Sequence, residues 1–200
     1  DRGFIFCSVP DGLKGAEITL SFPSVGATEN IILAAVKADG LTVIHNAARE
    51  PEISDLADFL NSAGARIYGC GSDTVYIHGV KTLYSTEHSI IPDRIVAATY
   101  MACAAITGGN ITLKGTMPSH ITSILSVLRE TGCDISVSRK SVEINCKNRL
   151  TRVPTIRSLV YPGFPTDAGP LVIAMLCKAK GTSVFVENIF ANRFRYVDEL

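Results

Sequence analysis

Asp167 is the only acid in "YPGFPTDAGP", residues 161–170, a stretch with three prolines and two glycines just ahead of the apolar run "LVIAML". Local rules make Thr166 or Asp167 a helix N-cap. A reaction could equally need a carboxylate at that spot. Two more Pro-led helix starts, "PSVGATEN" and "PDRIVAAT", stand elsewhere in the chain. A helix start offers unpaired N–H groups and the positive end of a dipole, which together suit an anion. Ser24, Val25 and Gly26 supply a hydroxyl and a close-approach backbone, fit for a diphosphate or for a plain cap. Asp93 and Arg94 read either as a cap with a surface pair or as polar groups facing a site. At the third start Thr166 can cap while Asp167 reaches outward.

The loop "NAAREPEI" carries more polar groups than its helix requires. Pro51 fits the first turn of the next helix, and Glu52 suits that turn's dipole by about 0.3–1 kcal/mol. Arg49 and Glu50 have no evident local duty. They form either a solvated ion pair of little energetic consequence or a polar loop facing a cleft. "NIFANRF" occupies the corresponding place later in the chain, which directs Ile189 and Arg193 the same way.

The elements that position these residues recur with a period of about seventy residues. Pro23, Pro92 and Pro165 each precede an Ala-rich or apolar helix that ends at a glycine, Gly40, Gly109 and Gly181, at nearly equal spacing. "LTVIHNA", "NITLKGT" and "TSVFVEN" follow as β-branched strands. "EISDLADFLNSAGARI" and "SHITSILSVLRETGCDI" are amphipathic helices, with Ile53, Leu56, Leu60 and Ile121, Ile124, Leu128 on their buried faces. Gly64 and Gly132 end these helices in the left-handed conformation, and "SDTVYIHG" and "RKSVEINC" close each unit as hairpin strands. "GFIFCSV" reads as a strand, so the chain reads as entered mid-domain. "FRYVDEL" reads as partway into a second helix of a third unit. "KTLYSTEHSI", residues 81–90, is the best internal boundary, giving units of residues 1–90 and 91–200. A repeat of this kind is also compatible with a non-catalytic scaffold.

With 46% hydrophobic and 19% charged residues among 200, the chain can bury a real core. Its zero formal net charge favours neither nucleic acid nor an anionic membrane surface. No apolar run approaches the roughly 20 residues that span a bilayer. The six cysteines show no CxxC and no framework spacing, so they read as reduced structural thiols. Cys103 and Cys177 fall within apolar helical patterns as small buried hydrophobes. The four histidines are scattered, so a metal site is not expected, and no cofactor or obligatory protein partner is implied.

"FPSVGATEN", "NAAREPEISDLADFLNSAGA", "IPDRIVAATYMACAAITGG", "YPGFPTDAG" and "NRFRYVDEL" resemble the enolpyruvyl transferase family, in particular the UDP-N-acetylglucosamine 1-carboxyvinyltransferases. The resemblance runs in order along nearly the whole chain. It implies an α/β (α+β) fold of pseudo-threefold βαβαββ units, an inside-out α/β barrel in each of two domains, with a cleft between them. Residues 1–90 would close the first domain and 91–200 belong to the second. The implied reaction transfers the enolpyruvyl group of phosphoenolpyruvate to the 3-hydroxyl of UDP-N-acetylglucosamine, through a tetrahedral ketal and with release of phosphate. That is a step of peptidoglycan synthesis in the bacterial cytoplasm. By resemblance Asp167 contacts the sugar hydroxyl and is the base. Ser24, Val25 and Gly26 contact the nucleotide diphosphate, and Ile189 contacts the sugar nucleotide. Glu50, Asp93, Arg94 and Arg193 take polar cleft positions.

Some expected features are not matched. Phe22-Pro23 stands where some family members carry a Lys, and Ala191 replaces a glutamate. The family's Lys-Asn pair, its mobile Cys- or Asp-bearing loop and its late arginine lie outside these residues, so this segment alone is expected not to turn over substrate. The sister 3-phosphoshikimate 1-carboxyvinyltransferase is the alternative enzyme.

Overall fold

The computed structural model describes residue 3 and residues 5–200. They divide into two compact units, Asp1–Ile90 and Ile91–Leu200. In the first, β1 (Glu17–Thr19), α1 (Val25–Ala35), β2 (Leu41–His45), α2 (Pro51–Ser62), β3 (Arg66–Tyr68) and β4 (Thr74–His78) follow one another. The sheet order is β1-β2-β4-β3; β1 and β2 are parallel, and the other pairs are antiparallel. The two-residue period of β4 buries Val75 and Ile77 and leaves Tyr76 outside. Those two residues and Ile44 form one core with Ile32 of α1 and Ile53 and Leu60 of α2. Gly64 ends α2 at φ +100°, where a Cβ would be strained.

The second unit begins with α3 (Arg94–Thr107), β5 (Asn110–Lys114), α4 (Thr122–Glu130), β6 (Asp134–Ser138) and β7 (Ser141–Asn145). Its three strands are antiparallel in the order β5-β7-β6. Ile121, Ile124 and Leu128 are buried in its core as the helical spacing requires. The chain then forms β8 (Thr155–Arg157), α5 (Gly169–Leu176) and β9 (Val184–Val186), with β8 and β9 parallel. The pair repeats the β1/β2 arrangement down to one hydrogen bond. Leu20 N–H donates to the His45 carbonyl at 3.1 Å and Ser158 N–H to the Val186 carbonyl at 3.0 Å.

Several expectations are corrected. "GFIFCSV" forms no strand over its described residues 3 and 5–9, where Ile5 is 91% exposed, and Phe4 lies outside the described residues. Without a neighbouring strand, alternating apolar residues have no ladder to join. Cys103 and Cys177 are exposed thiols; an apolar helix need not be covered on every face. Cys133 and Cys146 are joined as a disulfide, with Cα atoms 4.7 Å apart. They flank the Asp134↔Asn145 pair of the β6/β7 ladder, so strand register brings together two cysteines whose sequence spacing carries no signal. "FRYVDEL" forms a 3-10 turn at Arg195–Glu199 instead of entering an α-helix. Among the described residues no helix is long and apolar enough to cross a membrane, and no group of three His, Cys, Asp or Glu could hold a metal ion.

Candidate active site

The three helix starts are built differently. At α1, Ser24 is the N-cap: its hydroxyl accepts from Ala27 N–H at 3.3 Å, as short polar side chains do at such places. Val25 packs against the core, leaving only its backbone for a ligand. The N–H groups of Val25 and Gly26 are the first two of the helix and have no intrahelical acceptor. A Cβ added to Gly26 would meet nothing within 4 Å. The glycine is therefore not required by the chain's own packing, and its open face is available to a ligand.

The "NAARE" loop is fixed to this turn by Thr28, which the sequence reading did not single out. Its fully buried hydroxyl donates to the Ser24 carbonyl at 2.8 Å and accepts from Ala48 N–H at 3.0 Å. Arg49, beyond it, is exposed while Glu50 is buried at the start of α2. Pro51 takes the first helical position and Glu52 the first turn. Burial raises the Glu29 carboxyl above its ordinary range, and the charges of Glu52 and Glu50 add to that. An acidic neighbourhood of this kind suits hydroxyl or amide donors. An anion at the same turn is served by the backbone N–H groups.

At α3, Asp93 is a side-chain cap, accepting from Ile95 N–H at 2.8 Å and Val96 N–H at 3.0 Å. Arg94 lies with its guanidinium carbon 5.8 Å from the centroid of the Tyr161 ring, so the aromatic side chain of the "YPGFPTD" stretch supports it.

The third start departs from the local rules. Thr166–Ala168 is a 3-10 turn and α5 begins only at Gly169, with no side-chain cap at either start. Neither Thr166 nor Asp167 caps. Thr166 Oγ1 donates to Glu187 Oε2 at 2.7 Å, and Asp167 Oδ1 accepts from Arg193 in an ion pair. The Asp167 side chain is 55% exposed, so it faces outward as expected. Arg193 also lies 5.2 Å from the centroid of the Phe190 ring. Among the sequence candidates, then, Asp167 and Arg193 come together across 26 positions.

Ile189 is half-buried, and its N–H donates to Glu187 Oε1 at 2.7 Å. That oxygen also accepts from Ser158 Oγ at 2.8 Å and from Phe190 N–H at 3.2 Å. Burial pushes the Glu187 carboxyl up, but the donors from Thr166, Ser158, Ile189 and Phe190 together outweigh it and hold the group below its ordinary range. One carboxylate and one cation at the surface, backed by a second, fully hydrogen-bonded carboxylate, can accept a proton and bind an anion side by side.

Residues 5–200 match the family model described as EPSP synthase (3-phosphoshikimate 1-carboxyvinyltransferase). The chain belongs to this family of enolpyruvyl transferases. It is 53% identical over 188 residues to UDP-N-acetylglucosamine 1-carboxyvinyltransferase 2 of Caldanaerobacter subterraneus subsp. tengcongensis, covering 94% of this chain and 45% of that protein. Over 198 residues it is 52% identical to UDP-N-acetylglucosamine 1-carboxyvinyltransferase 1 of Symbiobacterium thermophilum, covering 99% of the chain and 45% of the relative. The chain thus spans about half the length of these curated relatives. The crystal structure of the enolpyruvyl transferase NikO from Streptomyces tendae shares the fold, with a TM-score of 0.78 at 20% identity over 94% of this chain and 48% of that one.

Glu187, Ser158, Thr28 and Tyr161 escaped the sequence reading because each acts through a partner distant along the chain. The one available signal was for Glu187. The matching hydrogen bonds of Leu20 and Ser158 make it the counterpart of Asn46, each being the first residue after the paired strand segment. A carboxylate there breaks the pattern of its repeat.

Proposed function

We propose that the protein to which this chain belongs transfers the enolpyruvyl group of phosphoenolpyruvate to the 3-hydroxyl of UDP-N-acetylglucosamine, releasing phosphate, as a step of bacterial peptidoglycan synthesis. The observation that carries the reading is identity of 46–53% to proteins of that name along 94–100% of the chain. The pairing of Asp167 with Arg193 supports it independently, because the chemistry needs a proton acceptor beside a cation. On this reading Asp167 takes the hydroxyl proton as the sugar oxygen bonds to the central carbon of phosphoenolpyruvate, whose methylene gains a proton. Loss of a proton from the resulting methyl group and departure of phosphate then give the enolpyruvyl ether.

Positioning governs the base more than basicity does: the carboxylate must come within about 2.6–3.2 Å of the hydroxyl oxygen. Arg193 holds one Asp167 oxygen and leaves the other for the sugar, while its charge suits the phosphate or carboxylate of phosphoenolpyruvate. The helix start at Ser24, Val25 and Gly26 takes the diphosphate, and Ile189 borders the sugar nucleotide. Glu50, Asp93 and Arg94 complete the polar lining. The pseudo-threefold barrels are part of the same proposal.

The deciding experiment is phosphate release by the whole protein with both substrates. Activity with UDP-N-acetylglucosamine and none with shikimate 3-phosphate is the expected result. The reverse preference would move the chain to the sister enzyme, and inertness toward both would leave only a binding or scaffold role.

A further inference from the structure

We infer that Glu187 is a positioning residue that sets the geometry of the Asp167–Arg193 pair, an inference that rests on the proposed reaction. Its carboxylate joins the three pieces of chain that meet there. Ser158 Oγ, at the end of β8, donates to Oε1 at 2.8 Å, and Thr166 Oγ1, in the turn before α5, donates to Oε2 at 2.7 Å. The N–H groups of Ile189 and Phe190, in the loop after β9, donate to Oε1 at 2.7 and 3.2 Å. Thr166 is the residue before Asp167. Phe190 carries the ring against which Arg193 lies, and Arg193 closes the circuit on Asp167. Glu187 therefore bears on both members of the pair without touching either.

Only an ionised carboxylate serves all these donors, since it accepts on both oxygens. The hydrogen bonds keep it ionised, and bonds to a charged acceptor are roughly twice as strong as neutral ones. Ser158 is fully buried and its oxygen also accepts from Asn188 N–H at 2.8 Å, so the β8 end of the network cannot drift. A misplacement of about 1 Å at a reacting group can cost on the order of a hundredfold in rate. A substitution that loosens this network should therefore appear in turnover before it appears in ligand affinity.

The test uses the whole protein and two substitutions, Glu187→Gln and Thr166→Val, with Thr166→Ser as the conservative control. Each of the first two should lower kcat by about tenfold or more, while the dissociation constant of UDP-N-acetylglucosamine stays within about threefold of wild type. Thr166→Ser, which keeps the hydroxyl, should recover most of the loss. The inference fails if Glu187→Gln and Thr166→Val both keep wild-type kcat. It also fails if kcat and nucleotide affinity fall by the same factor, or if Thr166→Ser is no better than Thr166→Val. A wild-type protein that releases no phosphate from phosphoenolpyruvate with the nucleotide present would overturn the functional reading itself, and this inference with it. Should one of the two variants not fold, the other is read by the same criteria.

Discussion

The loop after β2 and the loop after β9 face the same task, which is to stay fixed to the turn that starts the preceding helix. They do it with different chemistry. In the first unit the link is neutral. Thr28 bridges the Ser24 carbonyl and Ala48 N–H, and the Asn46 amide donates to the Leu20 carbonyl at 2.9 Å. In the second unit the counterpart of Asn46 is Glu187, a charged hub that gathers hydroxyl and backbone donors from three segments. The helix starts differ to match. Ser24 is occupied in capping its own helix and leaves backbone N–H groups to a ligand. Thr166 and Asp167 cap nothing, so one is free to anchor the turn and the other to face outward. A turn that uses its side chains internally offers backbone; one that does not can offer a reactive group.

The sharpest way to break this contrast is at Asp167. Asp167→Asn keeps the shape of the side chain and removes the proposed base, so kcat of the whole protein should fall by about 10²–10⁴-fold, with little change in UDP-N-acetylglucosamine affinity measured by calorimetry. Near-normal turnover would reduce the third helix start to another structural turn.

Thr28→Val comes next. It replaces a fully buried hydroxyl by a methyl group and leaves Ala48 N–H without its acceptor. The expected loss is about 1–3 kcal/mol of stability by urea unfolding of the whole protein. A loss of only a few tenths would show that the first loop is fixed mainly by packing.

Gly26→Ala tests what the first turn is for. With nothing near its Cβ, the alanine should be accommodated and gain up to about 1 kcal/mol from helix propensity, while nucleotide affinity drops. Unchanged affinity would count against a close approach of the diphosphate to that backbone.

The smallest effect is the pH response, and its sign differs between the units. Glu29 is raised above its ordinary 4.5 by burial, then by Glu52 and Glu50. Its stabilising contribution is fully present below pH 4.5 and is lost as pH rises through the higher folded value. Glu187 is held below its ordinary 4.5, its hydrogen bonds outweighing burial, so its contribution is present above pH 4.5 and is lost as pH falls through the lower folded value. Glu29→Gln should therefore stabilise at pH 7, with the gain shrinking toward pH 4. Glu187→Gln should destabilise at pH 7, with the loss shrinking below pH 4.5. Parallel shifts of both variants in urea unfolding across pH would remove the distinction.

Much of this molecule was legible along the chain because the forces concerned act over a few residues. Helical spacing identified the buried faces of α2 and α4, β-branched runs located β2, β5 and β9, and glycines marked the ends of α2, α3 and α4. Helices α1 and α5 stop at Ala35 and Leu176, short of the expected Gly40 and Gly181. The same local rules failed at Thr166, where a good capping residue donates instead to a carboxylate far along the chain. They failed again at "GFIFCSV", where an alternating pattern had no ladder to join. Strands β1 and β8 escaped notice because each sets a single isoleucine between polar residues, too weak an apolar signal to mark a strand.

By itself the sequence determined the family, the succession of the main helices and of strands β2 to β7 and β9, and the presence of an acid at the third helix start. Those follow from residue types and spacings within short windows, repeated along the chain. Only the tertiary structure decided that Arg193 would pair with Asp167, that Glu187 would tie Ser158, Thr166 and the loop after β9 together, and that Cys133 would meet Cys146. Those contacts depend on strand register and on the packing of helices onto sheets. Register couples residues by where strands align, and no short window of sequence contains that alignment.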